Sequence, residues 1–200
     1  MLFKSKTAYY LSIIISILSV LFICFIIYKS FFIVKNQYID IDGLTYVNQV
    51  KTDEYTKKLA VNLTKDCQTR ICEVQSMLNL VTNVPYKINE SVARSGKNVL
   101  EQNFGDCDDK SNLLISLLNA KGYEAYFVLV PKHIFVVVNL GIILPRKKAL
   151  YINGRPFYKL ESTAKNSQIG FPLKYSFDEI TAFIDPFKNK KLVVNTLEYK

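Results

Sequence analysis

The hydrophobic pattern divides the chain into three regimes. Thr7 to Tyr28 holds no charged residue, and its centre, Leu11 to Ile27, is almost wholly apolar. At ~1.5 Å rise per residue, ~20 helical residues cross the ~30 Å hydrocarbon layer of a bilayer, so this run predicts a membrane-spanning helix. No small-residue cleavage site follows it, and the exit Tyr28-Lys29-Ser30-Phe31-Phe32 is bulky. The run therefore reads as an uncleaved anchor rather than a signal peptide. Tyr9, Tyr10 and Tyr28 stand where interfacial aromatics belong. Lys4 and Lys6 flank the short N-terminal side, which has no acid, so positive-inside reasoning places residues 36–200 outside the cytoplasm. The expected organisation is a tail over 1–6, an anchor over 7–34, a linker over 35–52 containing Gly43, and a domain over 53–200.

From Thr52 the period becomes helical. Thr52 or Asp53 can cap a helix in which Tyr55, Leu59 and Leu63 recur every four residues. A second helix is predicted from Thr69, with Ile71, Val74, Leu78 and Val81 on one face, ending before Pro85. A short turn is expected at Asn98, with Glu101 as a reciprocal cap. The clearest helix follows Gly105. Asp106 is its N-cap, Asp109 sits in its first turn, and Leu113, Leu114, Leu117 and Leu118 form its buried stripe up to a stop at Gly122.

Beyond Gly122 the period shortens. Tyr123–Val130 and Ile134–Leu140 are rich in β-branched and aromatic residues, and Ala149–Ile152 and Arg155–Leu160 flank the hairpin dipeptide Asn153-Gly154. Phe177–Ile184 fits a strand or a short helix equally. Helices first and strands second predict an α+β domain, an antiparallel sheet packed on helices, behind a single N-terminal transmembrane helix.

Composition narrows the chemistry. The chain has 200 residues and a single histidine, which excludes multi-histidine zinc sites and H-E-x-x-H proteases. The formal charge is +9, but residues 1–35 hold four lysines and no acid, leaving 22 basic and 17 acidic residues, a net +5, in the remainder. With no basic stripe interleaved with aromatics, no nucleic-acid partner is expected. Cys67 and Cys72, spaced C-x4-C, fit a local disulfide if the domain is extracytoplasmic. They lack the further ligands a structural zinc needs, and their gap is longer than the C-x-x-C redox motif.

Cys107 is expected in the first turn of the Asp106-capped helix, where free N–H groups and the helix dipole favour a thiolate nucleophile. The competing reading is an inert buried cysteine, since Asp106, Asp108 and Asp109 oppose a negative sulfur. His133, at a strand start, could reach that helix end and serve as base and acid, or be merely exposed. Glu161, ending the strand after the hairpin, could orient the imidazole, with Asp185 a weaker substitute.

These residues also carry a resemblance. Gly105-Asp106-Cys107-Asp108-Asp109-Lys110-Ser111, the leucine-rich helix, Gly122-Tyr123 and His133-Ile134-Phe135-Val136 together resemble the transglutaminase-like superfamily. Leu160-Glu161-Ser162-Thr163 resembles the third motif of its bacterial members, and Val84-Pro85-Tyr86 the extended segment before the nucleophile. The resemblance spans about residues 53–173. It implies a papain-like core with Cys107 as nucleophile, His133 as base and acid, and Glu161 as orienter, where the family often has aspartate. Members split amide bonds through a thioester and pass the acyl group to water or an amine. The Cys107 N–H is one oxyanion donor, and Gln102, Asn103 or Tyr86 are candidates for the second. Some bacterial relatives bind Ca²⁺ through acids beside the nucleophile, as Asp106 and Asp108 could; capping and solvation explain both here, and no metal or cofactor is expected.

The expected function is a membrane-anchored cysteine peptidase or amidase acting on a protein or peptide, with acyl transfer possible. The alternative is a non-catalytic anchored domain that binds protein or envelope polymer.

Overall fold

The computed structural model describes residues 5–200; residues 1–4, and with them Lys4 of the expected basic flank, lie outside the described residues. The chain forms two compact units, residues 1–38 and 39–200.

The first unit is one helix, α1 (Lys6–Gln37), capped by Ser5, whose side chain accepts from the Ala8 N–H. It is apolar all round, and none of its side chains is buried. A helix of 32 residues is ~48 Å long, enough by length and composition to cross a membrane.

A hairpin follows, β1 (Tyr38–Ile41) and β2 (Leu44–Val47), turning through Asp42 and Gly43 at φ 48° and 86° and belonging to the second unit from Ile39 on. Part of the stretch read as a linker is therefore ordered sheet, and Ile39 and Ile41 join the main core. Four helices follow: α2 (Glu54–Thr64), α3 (Arg70–Asn83), α4 (Gly96–Gln102) and α5 (Cys107–Ala120). Asp53, Thr69 and Asp106 cap α2, α3 and α5 through their side chains. Val74, Leu78 and Val81 are buried as expected, but Ile71 and Tyr55 are exposed, and in α2 Thr56 and Ala60 take the buried positions. The reciprocal cap expected at α4 does not form: Ser95 is its N-cap without a side-chain bond, and Glu101 instead meets Lys97 at 3.7 Å.

The strands β3 (Ala125–Val130), β4 (His133–Val138), β5 (Leu150–Ile152), β6 (Arg155–Leu160), β7 (Ala182–Asp185), β8 (Lys190–Lys191) and β9 (Leu197–Tyr199) form one antiparallel sheet in the order β8-β7-β3-β4-β6-β5-β9. The ambiguous stretch 177–184 resolves into a 3-10 turn, Phe177–Glu179, followed by β7. Alternation along β4 splits its residues between two clusters. Ile134, Val136 and Val138 pack with α5, while Phe135 and Val137 join the opposite face. The fold is α+β, with a central helix laid on an antiparallel sheet.

Candidate active site

One cleft of about 580 Å³ is lined by both Cys107 and His133. Cys107 opens α5. The turn before it is fixed by Gly105, whose N–H donates to the Pro85 carbonyl at 3.1 Å and whose carbonyl accepts from the Lys87 N–H at 3.2 Å. A Cβ at Gly105 would lie 2.9 Å from Asp109 Cβ, so the close approach of this turn to the helix requires glycine.

His133 is the first residue of β4, opposite Val130 across the two-residue turn Pro131-Lys132. At that strand end the imidazole meets the start of α5. Its Nε2 lies 3.1 and 3.2 Å from the two Glu161 carboxylate oxygens, leaving Nδ1 for the Cys107 thiol. The hydrogen bonds to Cys107 and then to Glu161 raise the His133 pKa to about 9, against the opposing effect of burial.

Glu161 follows β6. The register pairs Val136 with Leu160, so one step further Glu161 stands opposite Phe135 and diagonal to His133 on the same face. Burial opposes its ionisation. The bonds from His133 and Thr163 and the charge of Lys159 outweigh this and hold its pKa at about 2. The Thr163 hydroxyl donates to Oε1 at 2.7 Å, and Lys159 Nζ lies 3.2 Å from Oε2.

Lys159 is the residue that sequence reasoning passed over. Its side chain is 3% exposed, and its ammonium stands 4.4, 5.4 and 5.5 Å from the ring centroids of Phe135, Phe171 and Tyr175. Phe135 and Tyr175 also flank the His133 ring, at 6.4 and 6.3 Å. The signal was its parity with Glu161, two residues on, but a strand lysine is ordinarily solvent-facing.

The acids of the motif hold the helix start. Asp109 is buried and bonded by Arg94, whose backbone N–H reaches Oδ1 at 2.6 Å and whose Nε and Nη2 reach Oδ2 at 3.1 and 2.5 Å. Asp106 accepts from the Asn89 N–H at 2.8 Å and the Asp109 N–H at 3.4 Å. Burial and then the hydrogen bond to Asp106 raise the Asp108 pKa to about 7. One oxygen each of Asp106, Asp108 and Asp109 lie within 4.8 Å of one another, a group that could hold a cation. The Arg94 guanidinium already neutralises Asp109 within that group. Lys110 is buried and donates to the Val84 carbonyl at 2.8 Å, tying α5 to the end of α3.

The three candidate oxyanion donors separate. Tyr86 pairs with Gly105 and is the one whose hydroxyl feels the charge of Cys107; burial first, and then Cys107, raise its pKa. The Gln102 carbonyl oxygen accepts from Arg94 Nη1, and Asn103 ends α4 in the left-handed region at φ 53°. Asp185, the substitute for Glu161, instead accepts from the Phe187 and Lys188 N–H groups, both at 3.1 Å, and so serves its own turn. Cys67 and Cys72 form a disulfide.

The model described as "Transglutaminase-like superfamily" matches residues 57–134, from α2 through Cys107 to the start of β4, with Glu161 beyond it. Solved structures similar to this chain include a candidate cysteine protease from Cytophaga hutchinsonii (15% identity, TM-score 0.45, 76% of this chain and 52% of that one). A candidate protease from Parabacteroides distasonis is also similar (14%, 0.44, 70% and 27%), as is Legionella pneumophila LapG (12%, 0.46, 68% and 86%). The chain thus spans about half the length of the Cytophaga protein and about a quarter of the Parabacteroides one. No curated protein matches it. Over residues 57–134, the chain is similar to the core of the transglutaminase-like superfamily.

Proposed function

We propose that the protein is a membrane-anchored cysteine peptidase or amidase in which Cys107 is the nucleophile, His133 the base and acid, and Glu161 the orienter. The observation that carries this reading is the imidazole placed between the Cys107 thiol and the Glu161 carboxylate. The Cys107 thiolate attacks the amide carbon. The tetrahedral intermediate expels the amine, which takes the proton held by His133, and a thioester remains. Neutral His133 then removes a proton from water as the water attacks the thioester. Collapse releases the acid and restores the Cys107 thiolate beside protonated His133. An amine in place of water gives acyl transfer by the same steps. The Cys107 N–H at the start of α5 supports the oxyanion, and Tyr86 is the candidate for the second donor.

Anchoring rests on α1, and an extracytoplasmic domain is supported by Lys6 on the short side and by the Cys67–Cys72 disulfide, which suits an oxidising compartment. Residues 7–34 are the proposed anchor and 53–200 the proposed hydrolase domain. A mixed peptide library incubated with the protein and read by mass spectrometry tests the activity. New termini that vanish in Cys107→Ala support the enzyme; an untouched library points to a non-catalytic binding domain.

A further inference from the structure

The cleft beside Cys107 has an uneven lining. Its polar members, such as Thr45, Ser91, Asp108 and Lys132, are outnumbered by aliphatic ones. Ile41, Leu44 and Val47 come from the β1–β2 hairpin, Val92 from the loop before α4, and Leu129 and Pro131 from the end of β3 and the turn into His133. Two of these are not packed by the protein itself. Leu44 is 70% exposed and Val92 55% exposed, on opposite sequence segments that meet at the same cleft. Exposed aliphatic side chains scattered singly need no explanation, but here they share one concavity with the thiol and the imidazole. The volume, about 580 Å³, lies within the range of ~300–1,000 Å³ that holds a small ligand or a few residues of a peptide.

We propose that this cleft selects a peptide substrate with a large aliphatic side chain at the residue whose carbonyl Cys107 attacks, with Leu44 and Val92 as the residues that set the preference. The proposal rests on the catalytic reading above and deepens it. The acyl part of the substrate is present both when the amide is split and when the thioester is resolved, so groups around the sulfur contact it through both steps. An aliphatic side chain there covers Leu44 and Val92 and leaves the aqueous phase itself. An acidic or ammonium side chain packed on Leu44 and Val92 would lose hydration against an aliphatic surface, with Asp108 and Lys132 the only charged residues of the lining besides His133. The hairpin therefore acts as a specificity wall, although its sequence reads as a connecting segment.

The test uses the full-length protein in detergent and reads modification of the Cys107 peptide by mass spectrometry. Acetyl-alanyl-leucyl, acetyl-alanyl-aspartyl and acetyl-alanyl-lysyl chloromethyl ketones are compared, each rate divided by that of iodoacetamide, which needs no cleft. The leucyl ketone is expected to react about tenfold or more faster than either charged one, the scale on which an apolar pocket discriminates. Leu44→Asp and Val92→Asp should each remove most of that advantage, while Ile143→Asp, exposed and outside the cleft, should leave it in place. Equal normalised rates for the three ketones, or an advantage that survives both Leu44→Asp and Val92→Asp, overturn the proposal and leave the catalytic reading standing. Iodoacetamide labelling of Cys107 that is unaffected by His133→Ala overturns the catalytic reading and the proposal with it.

Discussion

Two titrations define the site at the scale of single residues, and they run in opposite directions. The folded protein raises His133 to about 9, so its contribution to stability is complete below ~6.5, the ordinary histidine value, and is lost as pH rises through about 9. The folded protein lowers Glu161 to about 2, so its contribution is complete above ~4.5 and is lost as pH falls through about 2. The melting temperature should therefore lose this contribution on both sides of the window between ~4.5 and ~6.5, and His133→Ala should remove the alkaline part of the loss. An alkaline limb identical in wild type and His133→Ala would contradict the pairing. Lys159 gives a separate prediction. Lys159→Met keeps the volume of a side chain roofed by three aromatic rings but removes the charge 3.2 Å from Glu161. The acid-side loss should then be smaller and end about one pH unit higher, the lower end of what a neighbouring opposite charge does to a carboxylate. An unchanged acid limb would show that Lys159 does not hold Glu161 ionised. Cys107 and His133 were legible in the sequence because a capped helix start and a unique histidine are local signals. Lys159 was not, because its burial comes from Phe171 and Tyr175, which only the folded chain brings over it.

Among the elements, the start of α5 concentrates the constraints. Gly105 admits the helix against the Pro85 segment, Asp106 caps it, and Arg94 neutralises the buried Asp109. Gly105→Ala forces a Cβ to within 2.9 Å of Asp109 Cβ, a backbone-proximal atom that cannot swing away. Overpacking of this kind costs about 1–3 kcal/mol, so thermal or urea unfolding should show a loss of that order. A variant as stable as wild type would show that the turn is not tight. This element was readable because cap, acidic first turn and leucine stripe lie within one stretch of sequence. The β1–β2 hairpin was overlooked although Asp42-Gly43, flanked by Ile39, Ile41, Leu44 and Tyr46 in alternation, carries the same turn signal as Asn153-Gly154; the burial of Ile39 and Ile41 depends on the rest of the domain. The strands β8 and β9, two and three residues long, likewise owe their existence to pairing with β7 and β5 rather than to local pattern.

For the whole molecule, α1 and the domain make separate demands. A helix apolar on every face has no surface on which to rest in water, so full-length protein should stay in the membrane pellet after carbonate washing. Recovery in the supernatant would remove the anchor from the account. Orientation can be read from the same thiol: a membrane-impermeant maleimide applied to intact cells should label Cys107 if residues 39–200 face outward, and should fail to label it if they face the cytosol. Fold class was legible because helices precede strands in the chain, whereas the cleft was not, since its walls come from five segments spread from Ile41 to Thr181. The central claim remains that the thiol of Cys107 and the imidazole of His133 act as one nucleophilic unit. Its most direct test is the rate of Cys107 alkylation by iodoacetamide at pH 7, compared between wild type and His133→Ala. The account predicts a rate at least about tenfold higher in wild type, the low end of what an activating partner supplies, and equal rates in the two proteins would contradict it.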